Sequence, residues 1–383
     1  MAKIQYRKKK LVFILSTWGD SHQLNRMLMI EKKQMNIISL AYERDYYPSK
    51  VNRPHVYLGK LRHGNYLGRV VSYFKSAIVV RREIKRNGPL VYVFGLDNLI
   101  QLYIIKRFFA KGTVIFYEIS DIRSIETGNS MFSRLLRRVY RQALHSVDEL
   151  IVTSPEFVTE YLVKLVSFNP RNYIILENKV HSSMVRSVSH QGDCNRSKSA
   201  DKIRIGYFGL LRCNRSIEIL LDLAENSGKY HIVFRGIFLG IDNALIERIK
   251  SSTAMSFHGP YLSPEDLKEM YRDIDVSWIC YPYSDRNVGN WQWARTNRYY
   301  ESGYFQVPMI AASGTVDAKN VDLKGLGWSI DLSRPNRAKT VLRSITLEEV
   351  RKVKEIYSKI NTSDFEVTDD YEKITLRING YNA

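Results

Sequence analysis

The sequence predicts an α/β protein built from two doubly wound, Rossmann-like domains, and three observations support this. The chain has 383 residues, which is too long for one ordinary hydrophobic core and suits two domains. Its short apolar runs are continuous rather than alternating, and helical patterns separate them, as in parallel sheets covered on both faces. This pattern stops at a polar stretch, HQGDCNRSKSADK, and then starts again.

The first half of the chain contains six candidate strands. They are rich in β-branched and aromatic residues, which favour strands. In chain order they are LVFILS (11–16), IISLAY (37–42), LVYVFG (90–95), TVIFYEIS (113–120), ELIVTS (149–154) and YIILEN (173–178). Together they predict an N-terminal domain over residues 1–190, followed by a linker at 191–202.

The second half repeats the pattern with five candidate strands. They are IRIGYFG (203–209), YHIVFRG (230–236), MSFHGP (255–260), DVSWICYP (275–282) and VPMIAAS (307–313). These strands predict a C-terminal domain over residues 203–345. The remaining residues, 346–383, contain a predicted helix, LEEVRKVKEIYSKI, and a tail for which packing against the N-terminal domain is one option.

Positive charge is concentrated in the first half. The formal net charge is +19; residues 1–190 hold 31 Lys and Arg against 14 Asp and Glu, and the remainder holds 27 against 25. The first half therefore carries 17 of the 19 excess charges. This asymmetry predicts an anionic partner for that half only.

Cysteine usage and hydropathy predict a cytoplasmic protein. Cys194, Cys213 and Cys280 fit neither a metal-binding pair nor a disulfide framework, which favours a reducing compartment. No apolar run approaches the roughly 18 residues that cross a bilayer. The N-terminal apolar segment is too short for a signal peptide.

The stretch IRIGYFGLLRCNRSIEILLDLA, which opens the second domain, has the composition of an anion site. It predicts a strand, a turn containing Gly206 and Gly209, two basic side chains at Arg212 and Arg215, and a helix capped by Ser216. Backbone donors, the helix dipole and guanidinium groups all favour a phosphate there. The alternative is an ordinary strand-to-helix turn with exposed arginines.

A carboxylate in the same domain, Glu301, stands near the start of the predicted helix in NRYYESGYFQVPMIAASG. An acidic residue at such a position can accept hydrogen bonds from both hydroxyls of a ribose, as it does in dinucleotide folds. A nucleotide bound across the two segments would explain both features. The alternative is a helix-surface charge without function.

These two stretches resemble the donor-binding motifs of family 4 glycosyltransferases, which have the GT-B fold. In that family a glycine is followed by an arginine and, six positions after the glycine, by a lysine, and these hold the donor diphosphate. Arg215 stands at the sixth position after Gly209. Arg212 lies two places later than the usual arginine.

The second stretch is similar to a further signature of the family. The matching positions are Asn297, Arg298, Glu301 and Pro308. The resemblance implies that Glu301 binds the donor ribose and that Asn297 and Arg298 belong to the donor site. The chain departs from the signature at Gln306, usually glycine, and at Trp293, usually the first acidic residue of the EX7E pattern, which leaves the donor sugar open.

The resemblance implies two Rossmann-like domains facing across a cleft and a retaining glycosyltransferase without a cofactor. Its donor would be a nucleotide diphosphate sugar, and Arg212 and Arg215 would stabilise the departing diphosphate. The DID triplet at 273–275 precedes a strand, at the end away from the expected ligand edge. A metal site is therefore not predicted there.

Three carboxylates of the first domain are candidate catalytic residues on the acceptor side. Asp97 follows one predicted strand, and Glu118 and Asp121 lie around the end of the next. Residues at these ends face the ligand edge of a parallel sheet. Alternatively, each one caps a helix or starts a turn.

Two segments combine basic and apolar residues at helical spacing. They are residues 66–86 and 131–144, and YRKKK near the N-terminus adds further charge. Such helices can lie on an anionic membrane surface, which predicts peripheral association with the inner face of the cell membrane. The alternative is that the apolar face of each helix packs against the protein core and its basic face is exposed to solvent.

The predicted function is transfer of a sugar from a nucleotide diphosphate donor to a lipid-linked or oligosaccharide acceptor, in cell-surface polysaccharide biosynthesis. A nucleotide-sugar epimerase of the same fold is one alternative, because it would use the same phosphate-binding motif. A basic nucleic-acid-binding protein is another. The basic segments match no recognisable nucleic-acid module, so no nucleic-acid partner is expected.

Overall fold

The computed structural model describes residues 10–33, 35–44, 53–61, 66–186, 202–283 and 289–382. They form two compact units. The first unit runs to Glu177 and also includes the segment from Asp369 onward, and the second is Asn178–Thr368. The predicted linker lies outside the described residues apart from Lys202, as do Cys194 and most of the basic N-terminal stretch.

The first unit is built on a seven-stranded parallel sheet. Its strands are β1 (Leu11–Leu15), β2 (Ile37–Glu43), β3 (Val56–Lys60), β4 (Leu90–Phe94), β5 (Val114–Ile119), β6 (Glu149–Val152) and β7 (Ile174–Ile175). Their order across the sheet is β3-β2-β1-β4-β5-β6-β7. Every residue of β1 and β4 is buried, which explains their continuous apolarity.

The second unit contains a six-stranded parallel sheet. Its strands are β8 (Ile203–Leu211), β9 (Tyr230–Phe238), β10 (Met255–Phe257), β11 (Val276–Trp278), β12 (Met309–Ala312) and β13 (Gly327–Ile330). Their order is β10-β9-β8-β11-β12-β13. Strand β8 is central and pairs with β9 over nine residues.

Helices cover both sheets. In chain order they are α1 (Ser21–Lys32), α2 (Tyr66–Asn87), α3 (Leu96–Phe108), α4 (Ser124–Thr127), α5 (Met131–Leu144), a π-helix (Phe157–Val166), α6 (Ser182–Arg186), α7 (Asn214–Ser227), α8 (Asn243–Ser251), α9 (Leu267–Arg272), α10 (Asn290–Trp293), α11 (Asn297–Tyr304), α12 (Val316–Lys324), α13 (Pro335–Ser344), α14 (Leu347–Tyr357), a 3₁₀ turn (Thr362–Asp364) and α15 (Glu372–Asn382). The two basic amphipathic segments are helices α2 and α5.

The predicted fold class, α/β with two Rossmann-like domains of the GT-B type, is confirmed. All eleven predicted strands form, but the sequence reading missed β3 and β13. Both missed strands lie at a sheet edge and contain a glycine. An edge strand has one neighbour, so its burial and apolar signal are weaker.

The compact units divide at residue 177, ahead of the predicted boundary at 190. Val180 and Val185 pack in a core cluster of the second unit with Ile279 and Met309, which places this segment there. Helix α14 also belongs to the second unit, whereas α15 belongs to the first.

Candidate active site

The carboxyl end of β8 brings two glycines into close approach. Gly209 pairs with Gly236 of β9, and both have positive φ, +101° and +137°. A Cβ added at Gly236 would lie 1.8 Å from the carbonyl oxygen of Gly209. The expectation that Gly206 and Gly209 lie in a turn is wrong, because β8 continues through both to Leu211.

Helix α7 follows directly, and its N-cap is Cys213 rather than the predicted Ser216. The Cys213 Sγ accepts a hydrogen bond from the Ser216 backbone nitrogen at 3.4 Å and from that of Tyr283 at 3.3 Å. Ser216 is the third residue of the helix, since the helix begins at Asn214. A thiol was not expected to cap a helix because sulfur is a weak acceptor.

The two predicted diphosphate arginines have different environments. Arg215 donates from Nη1 to the Leu332 carbonyl oxygen at 3.0 Å, and its guanidinium lies 3.9 Å from the ring centre of Tyr283. Arg212 is exposed and has no hydrogen-bond partner among the described residues. Arg212 is therefore free to bind an anion, whereas Arg215 is held in place beside it on the same segment.

Arg298 places the start of α11 at the carboxyl edge of the sheet. Its Nη1 donates to the Phe208 carbonyl oxygen of β8 at 3.1 Å, and Nη2 donates to that of Cys280, after β11, at 3.2 Å. The preceding residue, Asn297, is exposed and accepts from Asn178 at 3.1 Å. The structure thus brings the two sequence motifs to one edge of the sheet.

Glu301 lies one turn further along α11 and is half-buried. The Tyr271 hydroxyl donates to its Oε2 at 2.8 Å. Burial raises the pKa of Glu301, against the hydrogen bond from Tyr271 and the positive charge of Arg298. Oε1 has no hydrogen-bond partner among the described residues, so it can accept from a ligand hydroxyl.

Three further residues at this edge were missed by the sequence analysis. Tyr271 orients Glu301, and the Tyr261 hydroxyl lies 3.8 Å from the Cβ position of Gly209. Burial and then the charge of Glu301 raise the pKa of Tyr261. Arg235 has a buried Nε without a partner among the described residues. Nothing in the sequence separates these tyrosines from core tyrosines, since only the folded chain places them beside Glu301.

A second buried carboxylate, Asp317, lies at the start of α12. Its Oδ2 accepts from the Thr296 backbone nitrogen at 3.2 Å, and its Oδ1 is buried with no partner in the described part of the chain. Burial raises the pKa of Asp317 to about 7, although the bonds from Thr296 oppose this shift.

The DID triplet precedes β11, as predicted. Arg204 donates to the Asp273 carboxylate at 2.7 Å, and its backbone nitrogen donates to Asp275 at 3.1 Å. Across the described ranges, no group of three or more His, Cys, Asp or Glu side chains could hold a metal ion.

In the first unit, Glu118 is fully buried and its carboxylate is already paired. Arg26 donates to both carboxylate oxygens at 3.0 Å, and the Tyr92 hydroxyl donates to Oε2. Burial alone would raise the pKa of Glu118, but the charge of Arg26 and the hydrogen bond to His22 lower it to about 2. Glu118 thus has no access to an acceptor hydroxyl, contrary to its predicted role.

His22, which the sequence analysis missed, lies beside Glu118 near the end of β5. Its Nε2 lies 3.0 Å from Glu118 Oε1, and its side chain is 17% exposed. It lies in the first turn of α1, 96 residues earlier in the chain. The adjacency of β1, β4 and β5 brings it close, so only the sheet order could have shown it.

The other two acceptor-side candidates differ from each other. Asp97 accepts a bidentate ion pair from Arg123, with oxygen-to-nitrogen distances of 2.8 and 2.9 Å. Asp121 is exposed after β5. Of the three predicted carboxylates, Asp121 is the most accessible.

No protein-family model matches the chain. Over 298 residues it is 26% identical to the succinoglycan biosynthesis protein ExoL of Rhizobium meliloti, a match that spans 76% of this chain and 72% of that protein. None of the described helices combines the length and apolarity needed to cross a membrane.

Solved structures share the architecture over the whole chain. Anabaena HepE, in complex with UDP and glucose, has a TM-score of 0.72 and 14% identity, covering 97% of this chain and 100% of its own. WaaG, a glycosyltransferase involved in lipopolysaccharide biosynthesis, has a TM-score of 0.63, 14% identity and the same coverage.

A UDP-N-acetylglucosamine 2-epimerase also has this architecture, with a TM-score of 0.62, 10% identity and 98% coverage of both chains. The fold alone therefore does not separate transfer from epimerisation. Together these findings confirm the GT-B fold that the resemblance found in the sequence implies, and they show a similarity to ExoL over most of both chains.

Proposed function

We propose that the protein transfers a sugar from a nucleotide diphosphate donor, with retention of configuration and without a metal, during assembly of a cell-surface polysaccharide. The observation that carries the proposal is the half-buried Glu301, which has one oxygen fixed by Tyr271 and the other without a partner among the described residues. A half-buried carboxylate at the carboxyl edge of a parallel sheet suits the two hydroxyls of a ribose. Asn297, exposed at the start of the same helix, completes the nucleoside side.

The diphosphate is assigned to the segment that links β8 to α7. Arg212 is exposed and has no partner in the part of the chain that the structure describes, and Arg215 is held by Leu332 and Tyr283. The segment therefore supplies positive charge next to a helix N-terminus. The glycine at 209 leaves the backbone open to a close ligand. Two guanidinium groups would stabilise the charge that develops on the leaving diphosphate, which is the task a metal performs in other transferases.

The acceptor is assigned to the first unit. Asp121 is the accessible carboxylate after β5, and we propose that it contacts the acceptor. Glu118 would act through His22, whose ring it holds at 3.0 Å. The similarity to ExoL, a succinoglycan biosynthesis protein, supports a role in polysaccharide assembly, for which the acceptor would be lipid-linked or an oligosaccharide. The basic helices α2 and α5 support peripheral association with an anionic membrane.

The donor site can be tested by thermal unfolding with UDP, GDP, ADP and CMP in EDTA. A ligand that binds the native state alone raises the melting temperature. We expect one nucleoside diphosphate to raise it in the wild type and the rise to disappear in Glu301→Ala, because the ribose contact is lost. The nucleotide that raises the melting temperature would also identify the base of the donor.

Glu247→Ala is the matched control, since Glu247 is an exposed residue of α8 paired with Lys250. It should keep the full nucleotide response. No shift with any nucleotide, or equal shifts in Glu301→Ala and the wild type, would contradict the assignment of Glu301. A shift that requires added Mg²⁺ would contradict metal independence.

Epimerisation is the second candidate, favoured by the shared architecture of the UDP-N-acetylglucosamine 2-epimerase. It consumes a nucleotide sugar without an acceptor. Chromatography of a nucleotide-sugar incubation separates the two functions: a new nucleotide sugar without acceptor indicates an epimerase, and release of the nucleoside diphosphate that depends on an acceptor indicates a transferase.

A further inference from the structure

An apolar pocket opens on the first unit between helices α2, α3 and α5. Its cavity volume is about 310 Å³, at the lower end of the range for ligand pockets, roughly 300–1,000 Å³. Its apolar lining comes from the three helices and includes Phe74, Ala77, Ile104, Phe132 and Leu136. The pocket is therefore large enough for part of a small-molecule ligand, and each of the three helices contributes apolar side chains to its lining.

The pocket offers a ligand almost no uncompensated charge. Its two charged lining residues, Asp97 and Arg123, bind each other through two hydrogen bonds of 2.8 and 2.9 Å. The Gln101 amide nitrogen, also in the lining, donates to the Tyr73 carbonyl oxygen and to Ser76. An apolar group can therefore enter without leaving an unpaired ion.

Large apolar side chains in the pocket lining and on α5 remain exposed. Phe74 is 69% exposed, Phe132 61%, Leu135 56% and Met131 89%. Isolated exposed apolar residues are ordinary, but a contiguous apolar surface next to a pocket marks an interaction site. The alternative interpretation of α5, an apolar stripe that faces only the core, does not account for Met131, Phe132 and Leu135.

The exposed charges of α2 and α5, two of the helices that form the pocket, all have the same sign. Arg82, Lys85 and Arg86 are exposed in the last turns of α2, and Arg134 and Arg138 are exposed on α5. Helix α5 contains no acidic residue. The acidic residue of α2, Glu83, is buried and paired with Arg82 and Asn87. The surface is thus complementary to a partner that is apolar and anionic at once.

We propose that this pocket binds the apolar chain of an anionic membrane lipid, with the basic residues of α2 and α5 against the headgroups. The inference rests on the proposed function, for which it specifies a lipid-linked acceptor whose chain enters the first unit. An amphipathic surface of this kind lies at a bilayer interface with its apolar groups below the headgroups. Basic residues near the surface add electrostatic attraction.

Two other occupants fit the surface less well. A nucleic acid would use the basic residues but leave the apolar pocket and the exposed phenylalanines without a partner. An amphipathic protein helix could fill the pocket, yet it would need an acidic flank opposite five exposed basic side chains. In the experiment below, competition by oligonucleotides would indicate the first occupant, and absence of farnesyl phosphate binding would favour the second.

The probe is farnesyl phosphate, a soluble lipid phosphate with one isoprenoid chain, and its binding to the full-length protein is measured by titration calorimetry. Inorganic phosphate, which has the headgroup charge without the chain, is titrated in parallel. Cosedimentation with vesicles of phosphatidylcholine, with and without phosphatidylglycerol, measures membrane binding. We expect saturable binding of farnesyl phosphate, no binding of inorganic phosphate, and sedimentation only with phosphatidylglycerol present.

The variants separate the pocket from the surface around it. Ala77→Phe fills the pocket and leaves every basic residue in place, and Ile104→Trp does so from α3. Each should raise the Kd for farnesyl phosphate at least about tenfold, equivalent to about 1.4 kcal/mol, while vesicle binding persists. Ile78→Phe is the matched control: it adds a ring on the next residue of α2, which does not line the pocket. It should leave the Kd unchanged.

Three results would overturn the proposal. They are no farnesyl phosphate binding by the wild type, equal Kd values for the wild type and both filled variants, and competition by mixed oligonucleotides but not by phosphatidylglycerol vesicles. Far-UV circular dichroism and persistent vesicle binding show that the first unit of each variant is folded, and nucleotide-dependent thermal shifts are recorded on the same samples. If the wild type responds to nucleotide but does not bind farnesyl phosphate, only the lipid-binding pocket is refuted. If it binds farnesyl phosphate but does not respond to any nucleotide, the proposed donor site is refuted.

Discussion

At the residue scale, Glu118 shows how a carboxylate that looks catalytic in the sequence can be structural in the fold. It lies near the end of a predicted strand, where parallel sheets place their ligand-binding residues. In the structure its charge is compensated by Arg26, which also donates to Tyr371 and to the Leu176 carbonyl oxygen. Removing one partner of a buried ion pair leaves the other charge uncompensated, which costs more than the pair itself contributes.

We therefore expect Glu118→Gln to lower the free energy of unfolding at pH 7 by about 3–5 kcal/mol, because the Arg26 charge stays buried. The measurement is urea denaturation followed by circular dichroism. Glu160→Gln is the control, since Glu160 pairs with Lys164 near the surface. It should change stability by no more than about 0.5 kcal/mol.

The loss should depend on pH. The folded pKa of Glu118, about 2, lies below its ordinary value of 4.5, so ionised Glu118 stabilises the folded state at any pH above 4.5. As pH falls from 4.5 toward 2, the wild type loses this stabilisation and the gap to Glu118→Gln narrows. A gap that stayed constant between pH 7 and pH 3 would contradict the ion-pair account.

At the scale of elements, the pairing of β8 with β9 determines the shape of the proposed donor site. Gly209 and Gly236 face each other with positive φ, and no side chain fits at Gly236. The backbone at this point of the sheet edge is bare, which suits a phosphate close to main-chain nitrogens.

Gly236→Ala should be strongly destabilising. The unfavourable φ costs about 1–3 kcal/mol by itself, and the overlap with the Gly209 carbonyl forces β8 and β9 apart. We expect a lower urea midpoint and loss of the nucleotide-dependent thermal shift. Gly228→Ala is the control, because Gly228 has φ +61° but open space around its Cβ position. Equal losses in the two variants would mean that the close approach is not important.

At the scale of the whole molecule, the end of the chain belongs to the first unit. Helix α15 buries Ile374 and Ile378 completely and places Tyr371 against Arg26. The second unit is formed by the intervening segment, Asn178–Thr368. Stability and nucleotide binding should therefore respond differently to changes at the C-terminus.

Truncation after Thr368 tests this division. It exposes the sites of two buried isoleucines, each worth about 1.5–3 kcal/mol, so the first unit should become sensitive to proteolysis. The nucleotide response of the second unit should persist. Leu376→Ala, at an exposed position of α15, should change neither property. Joint loss of both units on truncation would show that they do not fold independently.

The sequence predicted the fold class because burial on both faces of a parallel sheet leaves a continuous apolar signal in each central strand. The edge strands β3 and β13 lack that signal and were missed. The donor motifs were recognised because the spacings within each, such as Gly209 to Arg215 and Asn297 to Glu301, can be read along the chain. The N-cap at Cys213 was missed because thiols rarely take that role.

The sequence by itself therefore determined the alternation of strands and helices, the two donor motifs and the surplus of positive charge in the first half. Only the tertiary structure decided that Glu118 is paired with Arg26 and His22, that Tyr271 holds Glu301, and that an apolar pocket opens between α2, α3 and α5. The physical reason is how far apart in sequence the interacting residues are. Helix and strand patterns arise from neighbours in sequence, whereas ion pairs, oriented carboxylates and pockets depend on side chains that are dozens of residues apart until the sheets bring them together.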